Sequence, residues 1–152
     1  MDPQFRQLLI HSWRAVEDAG YYHKDIPNTG VYVTTANHQY GSLSQDQFRT
    51  EGVTEDPEQY LSWVLSQSGS ISSMISYQLG FIGPSLSVHS NCSSSMSALD
   101  LAFQSLMSGQ IDYAVVGAGA ISHIDHKGYI YQPGLNFSRE GVSKPSMRVQ
   151  ME

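Results

Sequence analysis

Apolar residues recur every three or four positions at the start of the chain, and Leu8, Leu9, Trp13, Val16 and Ala19 predict one face of a helix. Asp2-Pro3 supplies its start: Asp caps exposed N–H groups, and Pro tolerates the first helical position. Gly20 supplies its end. The period then changes. "TGVYVTTA" at 29–36 is rich in β-branched residues and reads as a buried strand. Residues 37–52 are polar and punctuated by glycine, which predicts a long loop, and "DPEQYLSWVLSQ" repeats the Asp-Pro signal for a second helix from about Asp56. "GSISSMISYQLG" predicts a third helix with Ile71, Met74, Ile75 and Leu79 on one face, followed by a break at Gly83-Pro84 and a short strand over "SLSVHS". From Cys92 the apolar set Met96, Leu99, Ala102, Phe103 and Leu106 predicts an amphipathic helix ending at Gly109. "DYAVVGAGAIS" is almost wholly apolar, as expected of a parallel strand covered on both faces. Beyond Gly128 the chain reads as irregular and Gly-rich, and "SMRVQME" carries no pattern. Strands alternating with helices predict an α/β layered fold.

Composition narrows the function. The 152 residues suffice for one domain with a modest core, and 40% hydrophobic with 14% charged residues is a globular composition. A net charge of −6 without any Lys/Arg cluster gives no footprint for nucleic acid or an anionic membrane surface. No apolar run approaches the roughly 18 residues of a transmembrane helix. No basic-then-apolar leader opens the sequence, so the expected location is cytoplasmic. A single cysteine excludes an internal disulfide and agrees with a reducing compartment.

That cysteine, Cys92, lies in "SVHSNCSSSMSAL", between an expected strand and an expected helix. One reading is a small buried hydrophobe. The other is a nucleophile. Unpaired N–H groups and the helix dipole favour negative charge at a helix start, and a tight strand-to-helix turn lifts the side chain out of the sheet. Backbone N–H groups there are suited to an oxyanion, and Ser93, Ser94 and Ser95 leave room for a substrate. Residue types alone leave both readings open. Of the six histidines, His89 is three positions before Cys92, where strand alternation suits a structural or substrate-lining role. "HIDH" at 123–126 lacks further ligands and reads as a solvated loop.

Several linked stretches resemble one family. "MDPQFRQLLIHSWRAVEDAG", "SYQLGFIGPS" and the "CSSS" elbow occur in the order and spacing of the N-terminal part of a β-ketoacyl synthase domain from a modular polyketide synthase. "GLNFSREGVSKP" is similar to that family's "SPDG..KP" loop. The resemblance covers residues 1–145 as a partial ketosynthase N-terminal domain, with 146–152 an unassigned tail. It implies a thiolase-like α/β layered fold, an incomplete N-terminal half in which the central first strand and the C-terminal half are absent. Cys92 then corresponds to the residue that takes an acyl group from the 4′-phosphopantetheine arm of an acyl carrier protein. The acyl-thioester next accepts a carbanion from a decarboxylated malonyl-type thioester. The Cys92 N–H corresponds to one oxyanion donor, and the second donor lies further along the family's domain. No bound cofactor is implied.

The family's "IAIVG"-type first strand, "HGTGT"-like and "GH" histidine motifs and lysine have no match here. The expectation is therefore a fragment that does not complete the condensation alone. A missing central strand would also leave neighbouring strands with unpaired backbone. The alternative is a non-catalytic remnant acting only as a subunit-association module, with "SLSVHS" at the family's homodimer seam. A third reading, a Cys92 hydrolase, needs a local base that the sequence does not offer. Local departures are "HSNC" for "DTAC", Met74 for an arginine, and "GAG" at 117–119 for a "GG" pair.

Overall fold

The computed structural model describes residues 1–36, 57, 60, 61, 64, 67–121, 128–134 and 138–142. Helix α1 spans Pro3–Asp18, strand β1 Thr29–Thr35, helix α2 Ser70–Leu79, strand β2 Ser85–Ser87, helix α3 Ser94–Met107 and strand β3 Tyr113–Gly119. Pro57, Tyr60, Leu61 and Val64 are helical, in the segment where the second Asp-Pro signal predicts a helix. The expected loop at 37–52, the "HIDH" segment and the "SMRVQME" tail lie outside the described residues. Contacts divide the chain into two compact units, Met1–Ile121 and Ser122–Glu152. In the second, the Tyr129 hydroxyl donates to the Ser138 carbonyl, and no helix or strand occurs among the described residues.

The first unit is a three-stranded parallel sheet in the order β2-β1-β3. Val31 pairs with Ser85 on one side of β1 and with Val115 on the other, so both edges of the central described strand are hydrogen-bonded. Every residue of β1 is buried. Alternation along a strand sends neighbours to opposite faces, and β1 divides its side chains accordingly. Val31 and Val33 pack with Phe5, Leu8 and Val16 of α1 and Ile71, Ile75 and Leu79 of α2. Tyr32 packs on the other face with Ala98 and Ala102 of α3 and with Ile111. This unit is thus layered helix–sheet–helix, each face of β1 dry.

Local signals explain most boundaries. The Asp2 carboxylate accepts the Gln4 N–H at 2.7 Å, as the Asp-Pro start predicts. Gly80 ends α2 in the left-handed conformation, φ 73°. The ring nitrogen Nδ1 of His23 lies 2.7 Å from the Leu79 carbonyl, a side-chain partner for an acceptor that the last helical turn leaves over. Helix α2 meets β2 through hydroxyl pairs rather than aliphatic contact: Ser72 with Ser87 at 3.1 Å, and Ser76 with Ser85. Those pairs satisfy buried polar groups that would otherwise cost stability.

Three expectations need correction. On α1 the buried line is Phe5, Leu8, Ser12 and Val16; Trp13 is 40% exposed, lying against the His23 ring at 4.8 Å between centroids. Strand β3 is only half-buried, because among the described strands it pairs with β1 alone and α3 covers part of its face. On α3 the buried line is Ser94, Ala98 and Ala102, whereas Met96, Leu99 and Phe103 are exposed. Small residues let the helix approach the sheet closely, and Tyr32 fills the gap from below, its hydroxyl donating to Ser105 Oγ at 2.7 Å. Among the described residues no helix is long and apolar enough to cross a membrane.

Candidate functional site

Parallel strands bring their C-terminal ends to one side of a sheet, and crevices form there where successive connections leave a strand in opposite directions. Here β2 and β3 flank β1, and α3 links one to the other. A cavity of about 290 Å³ opens at that point. Thr34, Thr35 and Ala36 line it from the end of β1, and Ala118, Gly119 and Ala120 from the end of β3. Asn91, Cys92, Ser94 and Ser95 close it at the start of α3. The walls are small and weakly polar, so the space is set by backbone rather than by bulky side chains.

Cys92 is exposed at this mouth, in a tight 3-10 turn over Asn91–Ser93 that feeds directly into α3. The regular helix begins two residues later than its apolar pattern predicts, because the first turn is wound more tightly. Four serines hold the turn. Ser94 Oγ accepts the Ser90 N–H at 2.8 Å and donates to the Asn91 carbonyl at 2.7 Å. Ser93 Oγ donates to the Ser90 carbonyl at 2.8 Å, and Ser90 Oγ pairs with Ser97 Oγ at 2.9 Å. The serines after the cysteine therefore do more than leave space: they tie the strand exit to the helix start. Their small size predicts access alone. The signal for the second role is their spacing, since Ser90, Ser94 and Ser97 recur at helical intervals.

Ser94 is the buried member of this set. Ser94→Ala leaves the Ser90 N–H and the Asn91 carbonyl without that partner. The expected cost is about 1–3 kcal/mol, read as a lower midpoint in urea unfolding. An unchanged midpoint would show that water replaces the hydroxyl at no cost.

His89 is exposed and does not line the cavity. Among the described residues none that lines it is His, Asp or Glu. The described residues therefore present a thiol, a helix start and a small-walled crevice, with no side-chain base among those that line it. Among the described residues no group of three or more His, Cys, Asp or Glu is placed to hold a metal ion.

Comparison with known proteins points one way. Residues 1–148 match the family described as "Beta-ketoacyl synthase, N-terminal domain". The chain is 52% identical over 144 residues to polyketide synthase PksN of Bacillus subtilis, a match covering 95% of this chain and 3% of that protein. It is 36% identical over 121 residues to a fatty acid synthase of Anser anser anser, covering 77% of this chain and 32% of that protein. Among solved structures, the ketosynthase from module 1 of the bacillaene synthase of Bacillus amyloliquefaciens superposes with a TM-score of 0.75 at 49% identity. That superposition covers 93% of this chain and 24% of the ketosynthase, so this chain spans about a quarter of that structure.

Proposed function

Since the chain belongs to the β-ketoacyl synthase family, matching its N-terminal domain, we propose that Cys92 accepts an acyl group from a phosphopantetheine thioester borne by an acyl carrier protein. In this reading the Cys92 sulfur, as thiolate, adds to the thioester carbonyl. The carbon–sulfur bond to pantetheine then breaks, and the acyl group remains on Cys92 while pantetheine leaves as a thiolate, which takes from solvent the equivalent of the proton that Cys92 gave up. Cysteine suits both halves of such a cycle, being a strong nucleophile and later a good leaving group. The Cys92 N–H at the turn before α3 is proposed to share the developing oxyanion charge. The observation that carries the reading is the exposed thiol on a small-walled cavity at the C-terminal ends of parallel strands. Acyl transfer to Cys92 is the step of the cycle that this proposal assigns to the described residues.

The test is direct. The chain is incubated with an acyl-pantetheine thioester and its intact mass is measured, then the adduct is mapped by peptide digestion. A stable increment of one acyl group on Cys92 is expected. Rapid release of free acid with no lasting adduct would indicate a hydrolase instead. No adduct at any thioester concentration would overturn the acyl-acceptor reading. It would favour the second reading, a subunit-association module. That reading draws on β2, which is an edge strand among those described and leaves Leu86 44% exposed. Recovery of the chain as a dimer would then accompany the missing adduct.

A further inference from the structure

Thr34 is 6% exposed and lines the same cavity as Cys92. Its place follows from β1. Tyr32 faces α3, and strand alternation sends Thr34 to the same face two residues on. Its ladder partner on β3 is Ala118, which also lines the cavity. The glycines on either side of Ala118 face the other way, since a Cβ at Gly117 or Gly119 would meet Leu8 of α1. Thr34 and Ala118 therefore form the strand-side wall of the cavity, facing the start of α3.

The Thr34 hydroxyl has no hydrogen-bond partner among the described residues. Thr29, Ser72, Ser76 and Ser94, buried likewise, each have one: Thr29 Oγ1 donates to the Ile26 carbonyl at 2.6 Å, Ser72 pairs with Ser87, Ser76 with Ser85, and Ser94 donates to the Asn91 carbonyl. Among the described residues no fully sealed side-chain oxygen lacks a partner, so the Thr34 oxygen opens onto the cavity that its residue lines. An aliphatic chain filling that cavity would displace water from the hydroxyl and offer no hydrogen bond in return. A site of this kind discriminates against the ligand that lacks the matching group. The volume of about 290 Å³ falls just under the ~300–1,000 Å³ of pockets for drug-sized molecules, which suits a short chain. We infer that Thr34 is a specificity-determining residue. It selects a short acyl group with a hydroxyl on one of the two carbons after the thioester carbonyl, over the plain aliphatic chain of equal length. A hydroxyl both donates and accepts, and so replaces either bond that water makes to Thr34. The inference rests on Cys92 being the acyl acceptor and names the substrate class of that site.

The experiment is a competition on the wild-type chain, Thr34→Val, Thr34→Ala and Thr34→Ser. Racemic 2-hydroxybutyryl-pantetheine and racemic 3-hydroxybutyryl-pantetheine are each mixed with an equal amount of butyryl-pantetheine. The two adducts on Cys92 differ by one oxygen, so intact mass at early times reads their ratio directly. That ratio cancels the fraction of each chain that is folded, and a purely structural role for Thr34 would leave it unmoved. Valine keeps the branched shape of threonine and removes the hydroxyl, so its ratio supplies the intrinsic reactivity of each thioester. For at least one hydroxy thioester the wild-type ratio is expected to exceed that of Thr34→Val by roughly tenfold. Thr34→Ala is expected to match Thr34→Val, and Thr34→Ser to keep the wild-type preference within about threefold, since it returns the hydroxyl. Wild-type ratios near one for both hydroxy thioesters overturn the inference without recourse to any variant. Ratios in Thr34→Val equal to those of wild type, or a Thr34→Ser chain as indifferent as Thr34→Val, overturn it too. Adducts formed without preference sink this inference alone, whereas no adduct from any of the three thioesters sinks the acyl-acceptor reading and this inference with it.

Discussion

Cys92→Ser is expected to slow acyl transfer by about a thousandfold while leaving the fold intact. Serine matches cysteine in shape, so the comparison isolates chemistry from packing. A thiol gives up its proton far more readily than a hydroxyl and is the stronger nucleophile, whereas a serine hydroxyl needs a neighbouring base to take its proton. Among the described residues none that lines the cavity is a histidine or carboxylate, and His89 lies outside the lining. Among the described residues the hydroxyl therefore meets no side-chain group that would activate it. Cys92 is exposed, so the substitution is expected to shift stability by no more than about 0.5 kcal/mol. Parallel thermal unfolding and adduct formation check both halves. A serine variant that acylated at the rate of the cysteine would mean that a base reaches residue 92 from outside the cavity.

Gly83→Ala is expected to be the most damaging single methyl group among the described glycines. A Cβ at residue 83 would lie 2.5 Å from the Thr29 carbonyl oxygen and 2.8 Å from the Gly30 nitrogen. These are backbone atoms at the start of β1, and they cannot swing aside as a side chain would. The same segment is fixed by the Gly83 N–H donating to Thr29 O at 3.2 Å and by Val31 N–H donating to Pro84 O at 2.8 Å. Relief requires β1 and the chain leading into β2 to part, which breaks the ladder at its root. The expected loss is about 3 kcal/mol, seen as a fall of roughly 10 °C in thermal midpoint. Gly80→Ala is the control. Gly80 has φ 73°, but a methyl group there would meet nothing within 4 Å, so only the conformational cost of about 1–2 kcal/mol applies. A smaller loss at Gly83 than at Gly80 would show that the close approach relaxes without strain.

Much of this architecture is legible in the chain itself. Asp2-Pro3 and Gly20 bracket α1, the β-branched run at 29–36 is β1, and Ile71, Ile75 and Leu79 are the buried face of α2, with Met74 packed beside them. The lone cysteine at a strand-to-helix junction is placed there by the pattern on either side of it, and the structure finds it exposed at that junction. Family membership is legible too, because several separated stretches carry it together rather than one short motif.

Other features depend on what each element meets. The apolar pattern of α3 selects Ala102, which the sheet buries, but also Met96, Leu99, Phe103 and Leu106, which stay exposed while Ser94 and Ala98 are buried instead. Nothing within α3 makes that choice, because Tyr32 on a distant strand occupies the volume that larger helix residues would need. The hydroxyl pairs between α2 and β2, the backbone contact at Gly83 and the left-handed turn at Asn91 are likewise invisible to local pattern. Sequence determined the elements, their parallel α/β class and the site of the thiol, since caps, periodicity and β-branching act between near neighbours along the chain. Tertiary structure decided which faces are dry, which glycine is indispensable and where the thiol is directed, since those follow from the shapes of surfaces that meet only after folding.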